Sequence, residues 1–148
     1  MKIDLVFRNT TSDKGFNAQF FKDIIQRVFR SLGKKSPNQE ISVSLVGEDK
    51  IRSLNLKFRK KDSVTDVLSF PLGEDALTGY TSVRTLGDLF ICVSYARMTA
   101  RRESMPIERK LQWLTVHGVL HLLGYDHEGS AKEAAVMERL EQKILRQL

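Results

Sequence analysis

The fold class is decided by residues 86–124, which read LGDLFICVSYARMTARRESMPIERKLQWLTVHGVLHLLG. Residues 86–93 predict a strand, and its continuous apolar run from residue 89 is typical of a strand buried on both faces. Ser94 can cap a helix through Arg102, and Pro106 suits the first turn of a second helix that continues to about Leu123. Because this second helix is apolar almost all round near its end, we expect it to cross the core.

The segments before residue 86 supply further elements. Alternating and helical spacings of apolar residues predict a strand at 3–7, a helix at 17–32, a strand at 41–45 and a helix at 49–58. Residues 67–72 are another strand candidate, and Pro71 predicts that this strand lies at a sheet edge or ends there. Residues 73–85 then form a loop rich in Gly, Thr and acidic residues.

The order of these elements indicates the architecture. Ser130 and Glu133 form a capping box for a last amphipathic helix, so strands come mostly early and helices late. This order predicts an α+β fold with a small mixed sheet of about four strands, packed by helices. The 148 residues are expected to form one domain, residues 1–148.

Composition excludes several classes of protein. Hydrophobic residues make up 41% and charged residues 28%, which excludes a disordered or collagen-like chain. No apolar run reaches the ~18 residues that a membrane-spanning helix needs, and the first residues lack a secretory cleavage site. The single cysteine, Cys92, fits a reducing compartment and is expected to pack in the core. We therefore expect a cytoplasmic protein with no membrane partner.

The chain is basic. Lys and Arg total 24 against 18 Asp and Glu, a net charge of +6, and the cations cluster in runs such as Arg59-Lys60-Lys61. Such a surface attracts polyanions, because each neutralised phosphate releases counterions. A basic surface kept for solubility is the alternative, and charge alone does not separate the two.

All three histidines lie in one short segment, HGVLHLLGYDH (117–127). His117 and His121 are four residues apart on the predicted helix, so their Cβ atoms are about 5–6 Å apart and their imidazoles can converge on one metal ion. Gly124 can end the helix in the left-handed conformation, which lets His127 approach as a third ligand. Three neutral imidazoles would leave one coordination position open, as in catalytic zinc sites. The alternative is that these are core histidines bonded to their neighbours.

The spacing of these histidines matches the H-E-x-x-H-x-x-G-x-x-H pattern of the metzincin proteases, so the metal-site helix is zincin-like. Those enzymes carry their catalytic glutamate where this sequence has Gly118. A glycine cannot accept a proton from metal-bound water, so peptide hydrolysis by the usual route is opposed.

Three motifs, in order, resemble the YbeY family of bacterial metal-dependent endoribonucleases: LNLKFRKKDSVTDVLSFP (54–71), LGD (86–88) and HGVLHLLGYDH (117–127). The resemblance runs from about residue 41 to the C-terminus. It implies a cytoplasmic, single-strand-specific endoribonuclease that acts in rRNA maturation, notably at the 3′ end of 16S rRNA, and in ribosome quality control. It also implies one zinc ion per chain, bound by His117, His121 and His127.

The resemblance marks Arg59, in the N-x-x-[FY]-R segment, as the family's other functional residue. Its guanidinium would offer a forked donor to a phosphate and stabilise charge in the transition state. A solvated charge within a basic run is the alternative. Lys60 and Lys61 are expected to make generic phosphate contacts. The implied partners are single-stranded RNA, rRNA and the small ribosomal subunit; nothing in the residues specifies an oligomeric state.

Two other classes of function compete with this one. A zincin-type metalloprotease of unusual mechanism is favoured by the histidine spacing but opposed by Gly118 and the basic surface. A non-catalytic, ribosome-associated RNA-binding module, in which the metal only stabilises the fold, is opposed by the open coordination position.

Overall fold

The centre of the protein is a four-stranded mixed sheet in the part of the chain that the computed structural model describes, residues 2–33, 38–72, 83–126 and 128–148. Its strands are β1 (Ile3–Asn9), β2 (Asn38–Leu45), β3 (Val67–Pro71) and β4 (Val83–Ile91), in the spatial order β1-β2-β4-β3. β1, β2 and β4 are parallel, and β3 lies antiparallel to β4 at one edge. The predicted α+β fold with a small mixed sheet is confirmed.

Five helices of the described residues surround this sheet: α1 (Ala18–Leu32), α2 (Glu48–Arg59), α3 (Val93–Arg102), α4 (Ile107–Leu122) and α5 (Ala131–Leu145). The predicted caps of α1 and α5 are present. The side chain of Asn17 accepts from the N–H of Phe20, and that of Ser130 accepts from the N–H of Glu133. α1 ends at Gly33, whose φ of 61° lies in the left-handed region.

α4 runs through the core, as its composition predicts. Leu111, Leu114, Val116, Val119 and Leu120 are fully buried on its different sides. The helix contacts α1, α3 and α5 as well as β3 and β4. Its second half therefore lies beside the edge of the sheet, where it can present side chains to a cavity.

The junction between β4 and α3 differs from the prediction. β4 ends at Ile91, and α3 begins at Val93 rather than at a Ser94 cap. Cys92 occupies the N-cap position, and its N–H donates to the carbonyl of Asp66 at 2.9 Å. Antiparallel hydrogen bonding with the β3 segment therefore continues as far as Cys92, the residue just before α3. Cys92 is fully buried, as predicted for a core residue.

The predicted loop at 73–85 lies mostly outside the described residues. Residues 73–82 are not among them, and residues 83–85 belong to β4 because they continue its parallel pairing with β2. β4 therefore starts earlier than the sequence predicts. Within the described segments, every helix is too short or too polar to cross a lipid bilayer.

Candidate active site

A cavity of about 610 Å³ lies between α4 and the edge strand β3. It brings together residues of two of the sequence motifs, from α2 and β3 on one side and from α4 and the turn after it on the other. The polar side chains of its wall are those of Arg59, Thr65, Asp66, Ser69, His117, His121, Tyr125, Asp126 and Glu128.

β3 directs part of its backbone toward this cavity. The N–H of Leu72 donates to the carbonyl of Leu86 at 3.1 Å, so Leu72 is one of the residues whose backbone groups bond β4. Because alternate residues of an antiparallel strand bond the partner strand, Ser69 and Pro71 direct their backbone groups away from β4. Pro71 has no N–H to lose there, which confirms that this strand suits a sheet edge.

Arg59 is held on that free edge. It is the last residue of α2, and its Nη2 donates to the carbonyl of Ser69 at 2.9 Å. Its guanidinium carbon lies 5.9 Å from the ring centroid of Phe70. A guanidinium has five N–H donors, so this bond fixes the group and leaves capacity for a phosphate. Lys60 and Lys61 follow as exposed residues outside the wall of the cavity.

The loop between α2 and β3 is tied back to α2. Asn55, which is buried, donates from Nδ2 to the carbonyl of Ser63 at 3.0 Å. Arg52 pairs with Asp62 at 2.7 Å, and this hydrogen bond holds the pKa of Asp62 below its ordinary value. These contacts position the loop that follows Arg59.

His117 and His121 converge on one point in the cavity. Their Nε2 atoms are 3.1 Å apart, and their rings are 4.6 Å apart at an interplanar angle of 80°. Two ligands at 2.0–2.1 Å from a tetrahedral ion would have nitrogens about 3.3 Å apart. The same 3.1 Å separation is that of a hydrogen bond between the two rings. The pair therefore fits both two ligands of one metal ion and two histidines bonded to each other.

Glu141 orients His117 from the opposite side. This residue of α5 is 6% exposed, and its Oε1 lies 2.5 Å from Nδ1 of His117. When ionised, the carboxylate can only accept, so the bond places the imidazole proton on Nδ1 and leaves Nε2, which faces Nε2 of His121, without a proton. Sequence reasoning missed Glu141.

Trp113 packs on the ring of His117. The two ring centroids are 4.9 Å apart at an interplanar angle of 24°. Together with Glu141, this stacking restricts both the tilt and the rotation of the imidazole. Sequence reasoning also missed Trp113, although it lies four residues before His117 on the same helix.

A buried cation lies behind the cavity wall. Lys110 is 5% exposed, and its Nζ is 3.1 Å from the carboxylate of Glu103 and 3.8 Å from that of Asp66. The same ammonium lies 5.2 Å from the ring centroid of Trp113. Lys110 thus holds two residues of the wall, Asp66 and Trp113, from behind.

The turn after α4 is described except at His127. Asp126 accepts from the N–H of Glu128 at 2.8 Å, the turn role that a short acidic side chain often takes. His127 lies outside the described residues, so its place as a third ligand stays a prediction. Among the residues that are described, no three His, Cys, Asp or Glu side chains form a group that could hold a metal ion.

Comparison with known proteins identifies the family. The family model described as Endoribonuclease YbeY matches residues 6–148. This chain belongs to the YbeY family. A relative named Endoribonuclease YbeY from Sulfurihydrogenibium sp. (strain YO3AOP1) is 40% identical, over 91% of this chain and 86% of that protein. Another of that name, from Persephonella marina (strain DSM 14350 / EX-H1), is 36% identical, over 95% of this chain and 89% of that protein.

A solved structure shares the fold. The solution structure of TM1509 from Thermotoga maritima matches with a TM-score of 0.61 and 30% identity, over 95% of this chain and 87% of that one. The resemblance predicted from the three motifs is confirmed, and so is the class of enzyme that it implies, an endoribonuclease. The substrate class of such an enzyme is RNA.

The structure separates this YbeY-family chain from the zincin peptidases at Gly118. A Cβ atom at this position would lie 2.6 Å from Cδ2 of Leu89, which is fully buried in β4. The helix can approach the sheet this closely because residue 118 has no side chain. A glutamate there, as in the zincins, would require the buried side chain of Leu89 to shift, which further opposes the metalloprotease alternative.

The LGD motif of this YbeY-family chain affects the cavity indirectly, through the pairing of β4 with β3. Gly87 has φ 138°, and a Cβ atom there would lie 2.2 Å from the carbonyl oxygen of Phe70. Only glycine allows β4 and β3 to pair at this position. Since β3 carries the carbonyl that holds Arg59, Gly87 contributes to the placement of that arginine.

Proposed function

We propose that the chain is a zinc-dependent endoribonuclease that cleaves single-stranded RNA in the cavity between α4 and β3. One observation carries the proposal: Nε2 of His117 and Nε2 of His121, 3.1 Å apart, share a cavity with the guanidinium of Arg59. Such a site offers a metal position next to a cation suited to a phosphodiester.

We assign the metal to His117, His121 and His127. The convergent pair supports this assignment, and three neutral imidazoles suit zinc. When bound, the ion would supply Lewis acidity and positive charge beside the scissile phosphodiester. Glu141 keeps the proton of His117 on Nδ1, and Trp113 keeps the ring in its plane.

Arg59 is assigned a catalytic role. It would bind a non-bridging phosphate oxygen and stabilise the negative charge that develops there in the transition state. Its bond to Ser69 supports this role, because a donor fixed in advance needs no reorganisation during the reaction. Lys60 and Lys61 are assigned to phosphates of the RNA strand outside the cavity.

The biological setting follows from the family. We infer that the RNA is rRNA, that the reaction is maturation of the 3′ end of 16S rRNA and ribosome quality control, and that the small ribosomal subunit is a partner. The net charge of +6 supports an RNA partner, and the single cysteine suits the cytoplasm.

The decisive experiment assays purified protein on single-stranded and duplex RNA of the same sequence. We expect internal cleavage of the single strand alone, lost with a chelator and restored by zinc. His121→Ala is the matched negative control. A 5′-phosphate on the products would identify water as the nucleophile, and a 2′,3′-cyclic phosphate would identify the 2′-hydroxyl.

Two results would contradict the proposal. Metal-loaded protein that binds single-stranded RNA without cutting it would support the non-catalytic RNA-binding module. Metal-dependent cleavage of a peptide substrate, with RNA left intact, would support the metalloprotease.

A further inference from the structure

Phe58 is a large apolar side chain that the fold leaves in solvent. It lies one residue before Arg59 in α2 and is 54% exposed. The other Phe, Tyr and Trp residues of the described ranges are buried or half-buried. Single exposed apolar residues are common, so exposure alone assigns no role to Phe58.

The ring of Phe58 is nevertheless held in place. Its centroid lies 5.1 Å from that of Phe70 at an interplanar angle of 60°. Phe70 in turn packs against Phe90 of β4, with centroids 5.8 Å apart at 71°. Phe58 is therefore an exposed ring on a rigid support, which would lose little conformational entropy when a ligand stacks on it.

The same support connects Phe58 to the cavity. Phe70 contacts the ring of Phe58, and the guanidinium of Arg59 lies 5.9 Å from the Phe70 centroid. Arg59 lines the cavity, so the Phe70 ring connects Phe58 to a residue of the cavity wall.

Charge around Phe58 indicates what it could bind. Lys57, Arg59, Lys60 and Lys61 flank it within five residues, and all four are exposed. Nζ of Lys57 lies 5.2 Å from the Phe58 centroid, so a cation already accompanies the ring. An exposed aromatic ring among cations is the arrangement that binds the bases and phosphates of single-stranded nucleic acid.

We propose that Phe58 is a stacking platform for a base of single-stranded RNA, next to the nucleotide whose phosphate Arg59 holds. This inference rests on the proposed function and adds a determinant of substrate binding to it. The flat ring accepts any base, so the platform favours unpaired RNA over duplex without selecting a sequence.

The test measures binding of an RNA oligonucleotide that carries 2-aminopurine, a base whose fluorescence falls when it stacks. The full-length protein is used as purified, in a stopped-flow instrument that resolves binding before cleavage. Phe58→Leu should raise Kd about 5- to 150-fold and abolish the fluorescence decrease. Phe58→Trp should keep both within about threefold of the parent, because it retains a π-face.

Two controls make the result specific to the ring. Leu56→Ala removes another exposed apolar side chain of α2, 48% exposed, and should leave Kd unchanged. The ratio of the Kd of Phe58→Leu to the Kd of the parent should be the same at about 50 and about 200 mM salt. Lys60→Ala should instead make Kd depend less on salt concentration. Thermal unfolding of each variant confirms that it is folded.

The outcomes separate this inference from the proposed function. If Phe58→Leu binds single-stranded RNA as the parent does, the platform is wrong while the endoribonuclease proposal stands. If Phe58→Leu loses affinity for single-stranded and duplex RNA equally, the platform is also wrong. If the parent binds RNA with quenching but does not cleave it, the platform stands and the proposed function fails.

Discussion

Arg59 is held by a backbone carbonyl, and this choice of partner affects what it can do. The carbonyl of Ser69 is uncharged, so the bond fixes the guanidinium without neutralising it. An arginine paired with a carboxylate would have to break an ion pair before binding a phosphate. The arrangement therefore keeps a full positive charge ready in the cavity.

Replacing Arg59 should slow the reaction more than it weakens binding. Arg59→Ala is expected to lose about 2–4 kcal/mol of transition-state stabilisation, which is roughly 30- to 1000-fold in kcat at saturating RNA. Lysine should rescue only part of this, because it replaces a planar fork by a point charge. Steady-state cleavage of single-stranded RNA at fixed ionic strength and checked metal content measures the effect.

The matched controls for Arg59 are its neighbours. Lys60→Ala and Lys61→Ala should weaken RNA binding modestly and less at high salt, with kcat near that of the parent. Equal kcat in Arg59→Ala and the parent at saturating RNA would contradict the catalytic assignment.

If His117 binds the metal as proposed, Glu141 should determine how tightly it does so. Glu141→Ala removes the acceptor of the Nδ1 proton and is expected to weaken metal affinity about 10- to 100-fold. Glu141→Gln keeps an acceptor without the charge and should lose less. Competition with a chromophoric chelator gives the affinity without any RNA present.

Met137→Ala provides the control for Glu141. Met137 is 1% exposed on the same helix, so its truncation should lower the free energy of unfolding while leaving metal affinity near that of the parent. Unchanged metal affinity in both Glu141 variants would show that the contact is structural only.

The residues of the site were predictable to different degrees. His117 and His121 follow from their spacing, and the same four-residue spacing places Trp113 on their face of α4. Glu141 leaves a weaker signal: it is a charged residue four positions after Met137 and three before Ile144, inside the buried face of α5. Its partner depends on how α5 packs on α4, which no local pattern encodes.

At the level of elements, the approach of β3 to β4 depends on one glycine. Gly87→Ala would place a Cβ atom 2.2 Å from the carbonyl oxygen of Phe70, in a backbone conformation with φ 138°. Clash and strain together should cost about 2–5 kcal/mol of the free energy of unfolding, measured by urea denaturation.

Gly33→Ala separates the two causes. Gly33 also has a positive φ, 61°, but a Cβ atom there would meet nothing within 4 Å. It should cost only about 1 kcal/mol, the strain alone. If Gly87→Ala lowers the free energy of unfolding no more than Gly33→Ala does, the close approach of β3 and β4 does not require glycine at position 87.

Types of element were predictable because each is encoded locally. The side-chain caps at Asn17 and Ser130 and the alternation in β1 and β2 are each contained within one element. Ser94 was the wrong start for α3, because the bond from Cys92 to Asp66 comes from strand pairing with a distant segment. Errors thus occur where a long-range contact overrides a local preference.

At the scale of the whole molecule, an ion pair connects distant parts of the chain. Arg97 of α3 donates from Nε to Asp13, in the segment between β1 and α1, at 3.0 Å. This hydrogen bond is the main cause that holds the pKa of Asp13 below its ordinary 3.8, and the N–H of Gly15 adds to it.

The lowered pKa predicts how stability depends on pH. A carboxyl whose pKa is lower in the folded state contributes its full stability above pH 3.8 and loses it as the pH falls through the folded-state pKa. Because both side chains are about a third exposed, 31% and 37%, the contribution is expected to be at most about 1 kcal/mol.

Urea unfolding of the parent and Asp13→Asn at several pH values tests this. The parent should be the more stable of the two near pH 7, and the difference should shrink below about pH 3.8. A difference that stays constant down to acidic pH would show that the ionised form of Asp13 contributes nothing.

The order of strands was beyond sequence reasoning. Parallel pairing of β1, β2 and β4 requires crossovers through helices, so neighbours in the sheet are not always neighbours along the chain. β4 pairs with both β2 and β3, and α4 contacts both β3 and β4. Such a choice depends on the packing of many residues at once.

The stacking of Trp113 on His117 also makes the tryptophan fluorescence of the protein sensitive to the state of that imidazole. Trp113 is the single tryptophan of the chain, so the indole emission of the entire molecule comes from beside one imidazole. A cation held by that imidazole would change the electric field at the indole, and unfolding would remove the imidazole from it altogether. Emission intensity and wavelength can therefore follow metal loading and unfolding in the same unlabelled sample.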